Sequence, residues 1–156
     1  MTRATHSGRS ARNTGLGVLI ALTAMGHASG LPAQSPRPLV IRSIDHAFQA
    51  PDTVPAGLTM ISLENRGALR HEVVVVRLKE GRTLADMMAG KTIPERLAMQ
   101  DAIIGMVLAE AGQPSPGKLV VELTPGRSYA LLCFLTDPPG TPPHIQQGMV
   151  GVMHVR

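Results

Sequence analysis

At 156 residues the chain is long enough for one domain with its own hydrophobic core and no disulfide staples. Phe48, Phe134 and Tyr129 are the only aromatic residues, so the core must be built from Val, Leu, Ile and Met; the 16 Gly and 13 Pro suit short strands and tight turns better than a helical bundle. The formal charge of +4 belongs mostly to residues 1–33, whose three Arg and no Asp or Glu leave 12 basic against 11 acidic residues afterwards, a net of +1 with no basic run of the kind that binds nucleic acid.

Arg3, Arg9 and Arg12 form a positive start. Residues 15–24 (GLGVLIALTA) are apolar but too few to span a bilayer, and small residues follow at Ala28, Ser29 and Gly30, then Leu31-Pro32-Ala33. This layout predicts a secretory signal peptide over residues 1–33, cleaved near Ala33. The mature protein is then periplasmic or secreted, with no stable membrane insertion. Residues 34–38 read as a flexible lead-in and 39–156 as one domain.

Leu39–Ile44 and Leu58–Leu63 alternate as strands do, with Pro51, Pro55 and Gly57 marking the loop between them. Asn65-Arg66-Gly67 is a turn signal. His71–Leu78 (HEVVVVRL) is the most β-prone run in the chain. Thr83 with Asp86 resembles a capping box for a short helix, and Pro94 opens a longer helical pattern to about Ala111. Leu97, Ile104, Leu108 and Ala111 recur there at near-helical spacing, and Gly112 is a stop. Residues 83–112 are therefore expected to be a helical insertion. Strands return at Leu119–Leu123, Arg127–Leu135 and Met149–Val155. Six or more short strands imply an all-β antiparallel sandwich or barrel.

One cysteine in an oxidising compartment cannot form an internal disulfide; it is buried and inert, paired with another chain, or used chemically. Taken singly, Cys133 among Leu131, Leu132 and Phe134 reads as a small core residue. Met149 reads as packing, His144 as a loop histidine, and His71 as the start of a strand. Taken together, one thiolate, two imidazoles and a thioether are the ligand set of a blue-copper site.

Residues 126–133 (GRSYALLC) resemble the plastocyanin stretch in which a Tyr precedes the ligand Cys by four positions. Residues 144–155 (HIQQGMVGVMHV) resemble the ending in which ligand His, four residues and ligand Met lead into a last strand. Residues 65–72 (NRGALRHE) resemble the turn before the first ligand His. The chain thus resembles the cupredoxin family, plastocyanin-like and similar to exported bacterial cupredoxin-like proteins. The resemblance implies a Greek-key β-sandwich and a type 1 site for one copper ion, Cu(I)/Cu(II). It makes His71 and His144 the imidazole ligands, Cys133 the thiolate and Met149 the long axial ligand. It further implies one-electron transfer by a monomer that is not an enzyme, with a redox partner docking near His144 on apolar surface from Pro142, Pro143 and Ile145.

Three features depart from plastocyanin. Ten residues separate Cys133 from His144 where plastocyanin has two. Glu72 stands where plastocyanins place an Asn that ties the two ligand loops together; a carboxylate there either bonds a loop amide or repels an electron-rich site. The helical insertion is larger. These departures sustain a second reading, a cupredoxin-like binding module without copper, beside copper storage or delivery. An enzyme with Cys133 as nucleophile lacks an oxyanion loop and a group to orient its His, and zinc would leave Met149 without a role. His46 and His154 stand outside the ligand pattern, His154 on a solvent or edge face of the last strand.

Overall fold

The computed structural model describes residues 35–156, which belong to one compact unit; the signal-peptide expectation for residues 1–33 lies outside the described residues. The described elements are β1 (Arg37–Ile44), β2 (Ala47–Gln49), β3 (Thr53–Val54), β4 (Gly57–Asn65), β5 (His71–Leu78), α1 (Leu84–Ala89), α2 (Ile93–Leu97), β6 (Gln100–Ala109), β7 (Leu119–Leu123), β8 (Ser128–Leu132) and β9 (Val150–Val155), with a 3-10 turn at His144–Gln147. They form two facing sheets, β2-β1-β4-β7 and β3-β9-β8-β5-β6. The all-β sandwich expected from the sequence is present, but two of its pairings, β1 with β4 and β3 with β9, are parallel. β1 already begins at Arg37, pairing with Thr59, so the last two residues of the expected lead-in belong to a sheet.

The four consecutive valines of β5 have a simple cause, because both faces of that strand are covered. Val73 and Val75 join Ile41, Ile61, Leu63, Tyr129, Leu131 and Met153 between the sheets. Val76 and Leu78 face outward into a second cluster with Met87 of α1, Leu132, and Ile145 of the 3-10 turn. The capping box at Thr83 forms as expected, and Thr92 with Glu95 makes another that starts α2.

The long helix expected from Pro94 to Ala111 does not form. α2 ends at Leu97, and residues 100–109 are strand β6, paired antiparallel with β5. Leu97, the first residue of the expected apolar stripe, is 50% exposed. The local pattern loses to the edge of β5, whose backbone groups need partners. Gly105 fits the strand reading: it sits at a register shift opposite Val75 with φ 157, and a Cβ there would lie 2.7 Å from Leu119 Cδ1. β8 is also shorter than expected. It ends at Leu132, which puts Cys133 just past the strand rather than in its middle.

Asp101 at the start of β6 joins two strands ends-on. Arg77 Nε donates to Asp101 Oδ1 at 2.7 Å, and Arg127 bonds the other carboxylate oxygen and also Leu78 O. Desolvation works against the Asp101 charge, but the two guanidinium groups outweigh it and hold the carboxyl below its ordinary 3.8. A depressed carboxyl stabilises the fold above its ordinary pKa and loses that contribution as pH falls through the native value. Asp101→Asn is therefore expected to cost about 1 kcal/mol at neutral pH. Urea unfolding of both proteins should show that gap closing as the pH is lowered past 3.8; a gap independent of pH would contradict the ion-pair account.

Candidate metal centre

At one end of the sandwich the β1–β2 turn, the β4–β5 loop and the long β8–β9 connection come together. Asn65 fixes the first two. Its Oδ1 accepts from Ser43 Oγ and Gly67 N, and its amide donates to Leu69 O, Ala109 O and Glu110 O. Gly67 leaves room for Asp45, since a Cβ there would fall 2.2 Å from Asp45 Oδ1. Asp45 then accepts from the amides of Ala68 and Leu69. Those amides and His71 hold its carboxyl below the ordinary value although desolvation opposes them.

The other segment is stitched in by backbone bonds. Cys133 N donates to Met149 O (3.3 Å), Ile145 N to Cys133 O (2.7 Å), His144 N to Leu135 O (2.9 Å) and Met149 N to His144 O (3.0 Å). Arg70 N donates to Asp137 Oδ2 at 3.0 Å, and Phe134 N to Glu72 Oε1 at 3.1 Å. Glu72 is 7% exposed and does what the first sequence alternative required: it bonds a loop amide and ties the two ligand-bearing segments together.

Three donor atoms meet here. His71, Cys133 and His144 offer one atom each, all within 4.8 Å of one another, and all three side chains have no exposed surface. His71 Nδ1 lies 3.2 Å from His144 Nδ1, and Cys133 Sγ lies 3.5 Å from His144 Nδ1. Met149 is also fully buried, and its backbone is bonded to both Cys133 and His144.

The remaining ring nitrogens set the proton positions. His71 Nε2 is 3.2 Å from Asp45 Oδ1, and His144 Nε2 is 3.0 Å from Asp137 O. Both partners are acceptors, so each Nε2 carries a hydrogen, and a ring in its neutral form leaves Nδ1 bare. Burial favours the neutral form of His71, and repulsion from His144 and His46 adds to it while Asp45 opposes it. Two bare lone pairs thus face each other at 3.2 Å in a site without water contact. The Cys133 thiol can donate to His144 Nδ1, which leaves His71 Nδ1 without a donor hydrogen; a cation held by the two nitrogens and the sulfur would satisfy all three at once. Burial also pushes the Cys133 thiol up, helped by the nearby Glu72 charge and partly offset by the Glu72 and Leu135 amides.

Two participants were not visible in the sequence, and a third, His46, stood outside the ligand pattern read there. Asp45 and the Asp137 carbonyl orient the imidazoles across 26 and 7 residues, and no local pattern announces such contacts. His46 packs edge-to-face on His144, with ring centroids 5.1 Å apart and planes at 76°. His154 is exposed and bonds Ser128 Oγ, apart from the cluster.

No protein-family model matches the chain, and no curated protein matches it. Solved structures do resemble it. Reduced auracyanin from the photosynthetic bacterium Roseiflexus castenholzii superposes with a TM-score of 0.51 at 22% identity, over 79% of this chain and 99% of that one. Auracyanin B gives a TM-score of 0.50 at 18% identity, over 82% of this chain and 95% of that one. At these identities the likeness speaks for the fold, which is that of a cupredoxin.

Glu72 separates two effects that substitution can measure. Glu72→Ala removes the acceptor of the partly buried Phe134 amide bond and should lower stability of the metal-free protein by about 1 kcal/mol. Glu72→Gln keeps an acceptor oxygen and should stay close to wild type in thermal melting. Equal losses in both variants would mean that the Phe134 bond is not what Glu72 contributes.

Proposed function

We propose that this cupredoxin-fold protein is an exported type 1 (blue) copper protein that carries single electrons. His71, Cys133 and His144 would hold one ion and Met149 would be the weak fourth ligand. The observation that supports this most is the pair of bare Nδ1 lone pairs facing each other beside a buried sulfur. Bound copper would supply the one-electron couple, imidazole suiting both oxidation states and soft sulfur the reduced one. Zinc would use the same three groups but gives a thioether no part.

The chain's own residues do the rest. Asp45 and the Asp137 carbonyl hold the two imidazoles in one tautomer and one orientation. Glu72 and the four backbone bonds of the β8–β9 connection keep the ligands from spreading apart when charge changes. Complete burial excludes water, so little solvent has to reorganise around the site.

The same burial weighs against the competing readings. Copper delivery needs ready exchange of the ion, and none of the four side chains reaches solvent. A binding module without metal would leave His71 Nδ1 facing His144 Nδ1 with only the Cys133 thiol nearby to donate, and that to His144. A thiol raised by burial is a poor nucleophile, which disfavours an enzyme built on Cys133.

A redox partner would dock beside His144. Ile145, expected on that surface, is 6% exposed and packs into the outer cluster instead. The exposed apolar groups there are Leu97 and Phe134, each 50% exposed, which with Pro143 border a cavity of about 310 Å³ reaching Ile145.

Adding Cu(II) to the mature protein should produce an intense visible thiolate-to-copper band, and Cys133→Ser should abolish it. No band and no tight binding in either protein would sink the copper reading. Leu97→Asp should leave the band unchanged and slow electron exchange with small-protein redox partners; unchanged exchange would move the docking face elsewhere.

A further inference from the structure

The outer apolar cluster does not close on itself. Between the two short helices and the 3-10 turn it leaves a cavity of about 310 Å³. Met87, Leu132 and Ile145 form its buried floor, and the exposed Leu97 and Phe134 stand at its rim. Close-packed interiors keep few such voids, and water gains little from apolar walls. A largely apolar pocket of about 300–1,000 Å³ with a few convergent polar groups is the form that small-molecule sites take. The place is also notable for its neighbours. Leu132 and Phe134 flank Cys133, and Pro143 and Ile145 flank His144, so an occupant would lie one residue along the chain from two of the candidate ligands.

Two features name the chemistry of an occupant. The first is charge. Arg96 lines the cavity, and its Nε donates to Gly90 O at 2.7 Å, which fixes the guanidinium in place. Among the described residues no carboxylate forms an ion pair with it. Its sequence neighbour Glu95 is engaged elsewhere, accepting from the Lys91 and Thr92 amides, and no acidic side chain lines the cavity among the described residues. The Nη groups thus keep their donors, in a fork that fits a carboxylate bidentately. The second feature is the wall. Met87 and Met88 bring thioethers and Phe134 a ring, and both kinds of group make specific favourable contacts with an aromatic ring that an alkyl chain does not offer.

We propose that this cavity binds a small aromatic carboxylate, with the ring against Met87, Met88 and Phe134 and the carboxylate on the Nη groups of Arg96. The site goes beyond the copper reading and does not need it, since its walls and its cation are in place without metal. Binding involves no covalent or redox step. A protein docked on Leu97 and Phe134 would close the mouth of the cavity, so the small ligand and such a partner exclude each other.

Naphthoate and naphthamide, the same rings with and without the charge, are the probes. Each is titrated into the mature, reduced protein carrying isotope-labelled methionine methyl groups, and NMR follows the shifts. The Met87 and Met88 methyls should move with naphthoate, while Met60, on β4 of the other sheet, stays in place. Naphthoate should bind about tenfold more tightly than naphthamide, the scale of one charge-assisted hydrogen bond. Arg96→Gln should remove that preference, and Arg96→Lys, which keeps the charge without the fork, should retain part of it. No saturation by naphthoate below millimolar concentration would overturn the proposal, as would equal shifts at Met60. Equal affinity for the two probes in wild type would make the cavity an unselective void and overturn it too. An intact preference in Arg96→Gln would put the carboxylate elsewhere, with the same consequence. Failure of the protein to bind copper touches none of these readouts, so the two readings stand or fall separately.

Discussion

The centre depends on two hydrogen bonds that point away from it. His71 Nε2–H to Asp45 and His144 Nε2–H to the Asp137 carbonyl place the ring hydrogens outward. Only then do both Nδ1 atoms turn their acceptor side inward, 3.2 Å apart, beside the Cys133 sulfur. Much of the surrounding structure serves those two bonds. Gly67 gives Asp45 room, the Ala68 and Leu69 amides keep its carboxylate charged, and Asn65 holds the turn that supplies those amides. On the other side, Arg70 N anchors the Asp137 side chain, which steadies the carbonyl that His144 uses.

Burial gives this arrangement its character. Coulomb and hydrogen-bond energies grow as water is excluded, so fixed partners hold the imidazoles more firmly than exposed ones could. The candidate ligand side chains are closed to solvent, and the partly exposed ring of His46 packs against one of them, His144. The long connection from Phe134 to Pro143 makes the seal possible. Its ten residues fold over His144, and their backbone bonds return the chain to Cys133 before β9 begins.

Much of the sandwich could be read from local patterns. His71–Leu78 and Leu119–Leu123 occupy the spans that their β-branched runs predict. The short helix after Thr83 follows from its capping box. Residues 100–109 misled because Ala, Leu and Met favour helices and happen to recur at helical spacing. The edge of β5 decided otherwise, and its residues Leu78 and Arg77 lie 22 and 25 residues away in sequence from their partners Gln100 and Ala102. Gly105 was the local clue: a glycine in the interior of a supposed helix is better explained by a register shift opposite Val75 and close packing under Leu119.

The sequence by itself supplied the candidate donors: one thiol, imidazoles and a thioether in cupredoxin-like order, on a chain whose valines and turns make strands. Donor chemistry is a property of single residues, so it is legible before folding. Tertiary structure decided which nitrogen of each ring is bare, that Glu72 bonds a loop amide, that the centre is closed to solvent and that His46 stands at its edge. Each of these depends on distances between residues far apart in the chain, because a lone pair, a hydrogen bond and a water-free cavity exist only once two segments have met.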